Sequence, residues 1–150
     1  MDLQTKLAND GLALAHQSAA TRIPLDWGKW RDHVFAFNQE PATIVISSTA
    51  FTDIEELQTR QELISTLRDH PKLFRGRVGT YDVRSSGLVY LLATQDARTS
   101  ESYWRFAEVM GHLDIQLYCC PGAMIDDVSS GKIAVADNVL GCYAEVRSNA

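Results

Sequence analysis

Three short stretches carry side chains with chemical potential, and each follows a strand-like run. The first is Thr80-Tyr81-Asp82-Val83-Arg84-Ser85-Ser86-Gly87. Two adjacent hydroxyls, a glycine that allows close backbone approach and the free N–H groups of a following helix suit an oxyanion. Arg84 adds a forked donor pair for a carboxylate or phosphate. The same residues also suit a plainer role, in which Ser85 or Ser86 caps the helix and Arg84 faces water. The second stretch is Cys119-Cys120-Pro121-Gly122-Ala123-Met124. A cysteine at a helix N-terminus can have a lowered pKa, but no base accompanies these two, and free cysteines are usually small buried hydrophobes. The third is Asp137-Asn138-Val139-Leu140-Gly141-Cys142-Tyr143, where Asn, Gly and Tyr at a strand exit either contact a ligand or make a turn.

Other chemistry is not supported. The three cysteines, Cys119, Cys120 and Cys142, lack CxxC spacing, and neighbouring cysteines rarely bridge each other. His16, His33, His70 and His112 are scattered, whereas a metal site needs clustered ligands. Asp96 and Asp114 have no paired carboxylate nearby in sequence, so no glycosidase-like dyad can be argued. No GxSxG, Walker loop or GxGxxG is present. The expectation is a non-enzyme with no cofactor and no metal. Packing is the simplest account of Trp27, Trp30 and Trp104.

The elements that must position these stretches alternate in type. Residues 2–17 read as a helix with Leu3, Leu7, Leu12 and Leu14 near one face, weakened at Gly11. A loop with Pro24, Trp27 and Trp30 follows. Residues 42–47 form an apolar β-branched run, as in a buried strand. Thr52-Asp53-x-x-Glu56 offers a capping signal, with Leu57, Leu63, Ile64 and Leu67 carrying helical spacing up to Pro71. Strands are expected at 76–81, 115–118 and 132–137. Helices are expected from Gly87 through Ala93, at 99–111 with Ser100 as cap, and at 122–130. Strands separated by helices predict an α/β fold, a mostly parallel sheet with helices on both faces. Ligands then bind beyond the carboxyl ends of the strands.

Composition agrees with one α/β domain spanning 1–150. The chain has 150 residues, 45% of them hydrophobic and 22% charged, enough to bury a core. A net charge of −5 without a Lys/Arg run argues against nucleic acid. No stretch approaches the roughly 20 apolar residues of a membrane helix. MDLQTKLANDG has neither the basic start nor the apolar middle of a secretory signal.

The strings FRGRVGTYDVRSSGLVYLLATQDARTSESYW and MIDDVSSGKIAVADNVLGCYA resemble the bacterial ABC-transporter substrate-binding proteins of the iron(III)/solute type. The resemblance runs from the opening MDLQTKLANDG to about Ala144. Its most specific parts are the Tyr-Asp-x-x-x-Ser-Gly loop, the Ser-Gly-Lys-Ile-Ala-Val strand entry and the Asn-Val-Leu-Gly-x-Tyr-Ala exit. It implies a single lobe of a type II periplasmic-binding-protein fold, the second of two, with the N-terminal lobe missing. It implies a periplasmic location, an ABC permease or a sensor protein as partner, and a small anionic solute. Tyr81, Asp82, Arg84, Ser85, Ser86, Gly87, Asn138 and Tyr143 are the expected ligand-binding residues, with Ser85, Ser86, Gly87 and Asn138 carried over directly. The adjacent tyrosines of ferric-binding members are replaced here by Asn138-Val139-Leu140-Gly141, which implies an organic or phosphorus-containing anion instead of iron. The alternative is a sensory or protein-interaction module partnered with a sensor kinase. A lobe without its partner exposes covered surface and strand edges, so a homodimer is also expected.

Overall fold

The computed structural model describes residues 2–24, 26–36, 39–54, 57–85 and 87–148, and its contacts separate into two compact units, Met1–Glu40 and Pro41–Ala150. In the first unit, helix α1 spans Asp2–Asn9 and not the expected 2–17. Gly11 takes φ 76°, Gly11 N–H donates to the Ala8 carbonyl and Leu12 N–H to that of Leu7. This pair of bonds around a left-handed glycine is a Schellman stop. Leu12 and Leu14, whose spacing suggested a longer helix, are 74% and 92% exposed. Strands β1 (Lys29–Trp30) and β2 (Val34–Phe35) form a small antiparallel ladder. Its turn places Arg31 and Asp32 at positive φ. Gln17 Nε2 donates to the Asp32 carboxylate at 2.6 Å, and Trp30 Nε1 to Asn9 Oδ1 at 2.9 Å. Trp27 stays 60% exposed, so it does not pack as expected.

In the second unit, four strands make one sheet: β3 (Ala42–Ile46), β4 (Val78–Tyr81), β5 (Gln116–Tyr118) and β6 (Val135–Leu140). Their spatial order is β3-β6-β4-β5. Strand β4 runs parallel to both β5 and β6, while β3 pairs antiparallel with β6. The sheet is therefore mixed, with its parallel part where strands and helices alternate.

Helices α2 (Arg60–Asp69), α3 (Pro71–Phe74), α4 (Gly87–Thr99), α5 (Tyr103–His112), α6 (Pro121–Ser129) and α7 (Gly141–Ser148) complete this unit. One core packs Leu63, Ile64, Leu67, Phe74, Phe106 and Leu113 on Val78 and Val135. The other packs Val89, Met124, Ile125 and Val128 on Tyr81, Ala136 and Val139. Alternate residues of β4 and β6 thus feed opposite cores, as the two-residue period of a strand requires.

Two helix starts differ from expectation. Helix α2 begins at Thr59, which accepts from Glu62 N–H while the Glu62 carboxylate accepts from Thr59 N–H. Thr52 instead donates back to Ser48 and Thr49 carbonyls, and Glu56 lies outside the described residues. The apolar segment after Gly87 continues as α4 to Thr99, so α5 starts at Tyr103 and Ser100 is not its cap.

Gly79 sits where β4 is most crowded: a Cβ there would meet Ile133 Cδ1 and Tyr118 Cε2, each at 2.8 Å. Gly111, on α5, has nothing within 4 Å of its Cβ position. Gly79→Ala should therefore destabilise the protein by about 1–3 kcal/mol through overpacking. Gly111→Ala should stabilise it by about 0.5–1 kcal/mol through helix propensity. Urea unfolding of the two variants measures both signs.

Candidate functional site

The carboxyl ends of β4, β5 and β6 lie side by side, because the three strands are parallel. The chain leaves β4 through residues 82–86 into α4, leaves β5 through Cys119 and Cys120 into α6, and passes from β6 directly into α7. Asp82 N–H donates to the Tyr118 carbonyl at 2.9 Å, which extends the β4–β5 pairing by one bond past the strand ends.

The turn after β4 holds itself together. Arg84 Nε and Nη2 each donate to the Asp82 carboxylate at 2.8 Å, and Arg84 N–H donates to the same group at 3.0 Å. This charge-assisted fork holds the Asp82 carboxyl below its ordinary pKa. The Ser85 hydroxyl and N–H both donate to the Asp82 carbonyl, at 2.8 and 3.0 Å. Arg84 is thus committed to Asp82 and does not offer an unopposed cation. Gly87 opens α4, whose first turn carries no acidic residue. Ser86 lies outside the described residues. Tyr81 is buried, and desolvation pushes its phenol up to about 12, with further contributions from Tyr143 and Cys120. Cys120 lies in the turn directly after β5 and Tyr143 in the first turn of α7 directly after β6, so both belong to this end of the sheet. Tyr143 is 47% exposed.

Asn138 belongs to a different cluster. Between the pairs Thr43↔Val139 and Val45↔Ala136, Asp137 and Asn138 of β6 stand opposite the single residue Ile44 of β3. This is a β-bulge, and Asn138 occupies it at φ 63°, a conformation Asn tolerates better than most residues. Its Nδ2 donates to Asp137 Oδ2 at 2.9 Å, and the Thr80 hydroxyl donates to the same oxygen at 3.3 Å. Asp137 is 4% exposed, and desolvation pushes its carboxyl up to about 6, while Arg60 and Thr80 oppose that rise and Asp96 adds to it.

Asp96 stands alone by sequence spacing, and its partner Arg60, 36 residues away, is brought to it only by the fold. Arg60 Nη1 donates to Asp96 Oδ1 at 2.8 Å and to Ser100 Oγ at 3.2 Å, with its guanidinium over the Phe106 ring. Desolvation and the nearby Asp96 raise the Tyr103 phenol pKa. Arg60 also lines a groove beside edge strand β3, together with Thr43, Ile44 and Thr59. The one signal available in the sequence was the capping box at Thr59, which fixes the position of Arg60. Trp104 is 68% exposed, contrary to a packing role.

No family model matches the sequence, and no curated protein matches it significantly. A crystal structure of the substrate-binding protein of an ABC transporter from Agrobacterium tumefaciens does match, with a TM-score of 0.91 and 32% identity. The match covers 99% of this chain and 44% of that one. The chain is similar to an ABC-transporter substrate-binding protein. It spans less than half the length of that neighbour, so the likeness to substrate-binding proteins is to a part of one. The expected α/β fold and the resemblance noted in the sequence strings are both shown by this superposition. Among the described residues, no group of three or more His, Cys, Asp or Glu side chains could hold a metal ion.

The buried carboxyl gives a pH-dependent prediction. The unfolded Asp137 titrates near 3.8 and the folded one near 6, so the folded state binds more protons between those values. Stability should fall as pH rises from about 4 to about 6, then stay level. The loss is on the order of 3 kcal/mol for a shift of this size. Urea unfolding of wild type and Asp137→Asn across that range should show the difference between them changing by this amount. A difference independent of pH would refute the assignment.

Proposed function

We propose that this chain acts as a non-catalytic solute-binding lobe of an ABC-type uptake system. The observation that carries the reading is the superposition on a substrate-binding protein over 99% of the chain. It is supported by three parallel strand ends that bring the Tyr81–Gly87 turn, Cys120 and Tyr143 to one end of the sheet. The proposed solute is a small anion seated over the β4–α4 turn, held by hydroxyls and by the first N–H groups of α4. Tyr81, Asp82, Arg84, Ser85, Ser86, Gly87, Asn138 and Tyr143 are the proposed binding residues. Asp82 and Arg84 act as a pair that shapes the turn, and Asn138 acts through the bulge it completes. The proposed partner is the transporter's permease, the proposed location the periplasm, and the proposed complement a second lobe that closes over the solute.

A sensory or protein-interaction role is favoured by one observation. Leu88, Tyr90 and Leu91 of α4 and Trp104 of α5 are 48%, 63%, 38% and 68% exposed. Leu88 and Leu91 lie one turn apart on α4, and exposed apolar side chains so close suit a protein surface better than a small solute. On that reading the chain associates, with itself or with a sensor, and sedimentation would show it.

Calorimetry against sulfate, phosphate and small carboxylates tests the main reading. Because one lobe encloses only one side of a ligand, binding should be weak but saturable. Ser86→Ala should weaken it by about 1–3 kcal/mol, the cost of removing one donor to a charged acceptor, with the melting temperature unchanged. If the melting temperature falls and affinity does not, Ser86 is a cap and the assignment of this loop to the solute is wrong.

A further inference from the structure

Cys119 and Cys120 occupy the turn between β5 and α6, and both are exposed. The Cys119 thiol donates to the Cys120 sulfur at 3.2 Å. Cys120 is the N-cap residue of α6 and its side chain makes no capping bond to the helix. The pair is therefore accessible, pre-aligned and not needed by the helix start.

We propose that Cys119 and Cys120 form a two-thiol site for a trivalent thiophilic metalloid, of the class of organic arsenous acids. Three comparisons of geometry select this ligand. A disulfide needs Cα atoms roughly 4.4–6.8 Å apart, whereas residues joined by a trans peptide are held at about 3.8 Å. All described peptide bonds are trans, so direct bridging is opposed by the backbone. Structural zinc requires four ligands, and tetrahedral legs of about 2.3 Å set two sulfurs about 3.8 Å apart. No third His, Cys, Asp or Glu stands by to complete such a site among the described residues. A pyramidal trivalent centre has bond angles near a right angle and needs only two thiols when its third bond is to carbon. Legs of about the same 2.3 Å length then require sulfurs about 3.2 Å apart. The observed separation is 3.2 Å.

The reaction is a condensation without redox change. Each thiol forms one sulfur–arsenic bond and displaces one hydroxyl from R–As(OH)2, and the two thiol protons leave in two molecules of water. Arsenic stays trivalent and neither sulfur is oxidised. The second bond closes within one molecule, so its effective concentration far exceeds that of a free monothiol. This site does not depend on the solute-binding reading, and its test involves no solute.

The probe is phenylarsonous acid, followed by intact-mass spectrometry. Wild type should take up one equivalent with loss of two waters. It should release the adduct to 2,3-dimercaptopropanol but not to an equal concentration of 2-mercaptoethanol. Cys119→Ser and Cys120→Ser should each lose at least a hundredfold in affinity, and Cys142→Ser none. In unmutated protein, the adduct should protect Cys119 and Cys120 from iodoacetamide and leave the labelling of Cys142 as it was. Protection of Cys142, or full affinity retained by either single variant at the pair, overturns the proposal.

Discussion

Strand β6 is held by antiparallel β3 on one side and parallel β4 on the other, and it carries one extra residue against β3. That residue is accommodated at Asp137–Asn138. The bulge places a carboxyl in the interior, where an unpaired charge would be costly. Thr80 and Asn138 supply two donors to one of its oxygens, and the Arg60 guanidinium supplies a field of opposite sign. Thr80 is in β4, Asn138 in β6 and Arg60 in α2, so the same carboxyl joins the parallel pair to the helix that covers it. Truncating any one of these groups leaves the others with an unmet partner in a dry place, which is where the large penalties of buried polar networks arise.

The sheet also separates two kinds of surroundings. On the α2–α5 face, polar groups at the strand ends are internal and mutually satisfied: Arg60 with Asp96 and Ser100, Asp137 with Thr80 and Asn138. On the α6 face, Tyr81 and Tyr118 stand in register at the last pair of β4 and β5. Tyr118 donates to Asp127 at 2.6 Å, and Lys132 donates to the same carboxylate, which anchors the end of β5 to α6. The Cys119–Cys120 turn begins at once after this anchor.

Much of this architecture was legible in the sequence because it depends on local pattern. The β-branched run 42–46 and the strand before Tyr81 announce themselves by composition, and Pro121 marks the start of α6 to within one residue. The errors have physical causes. The apolar spacing of Leu12 and Leu14 continues past Gly11, but the left-handed stop there overrides periodicity. Thr52, Asp53 and Thr59 each have a Glu three residues on (Glu55, Glu56 and Glu62), so spacing alone does not choose among them, and in the fold the reciprocal bonds close at Thr59. Ser100 resembled a cap by type, whereas its hydroxyl is taken by Arg60. The bulge at Asn138 and the Arg60–Asp96 pair were not legible at all, since both arise from contacts between distant segments. The turn after β4 was found by type, but the pairing of Arg84 with Asp82 that changes its chemistry needed coordinates.

That pairing bears on what kind of anion site the turn can be. An unopposed arginine would attract anions over a Debye length, about 8–10 Å at moderate salt, and would lose that attraction as salt rises. Here the guanidinium is neutralised within its own turn, and the chain carries a net charge of −5. In the site proposed for this turn the burden therefore shifts from Arg84 to short-range donors, the N–H groups at the start of α4 and neighbouring hydroxyls. Such donors act by geometry and gain strength only when water is excluded. The anion site proposed for this turn is, on that ground, one governed by donor geometry more than by net charge.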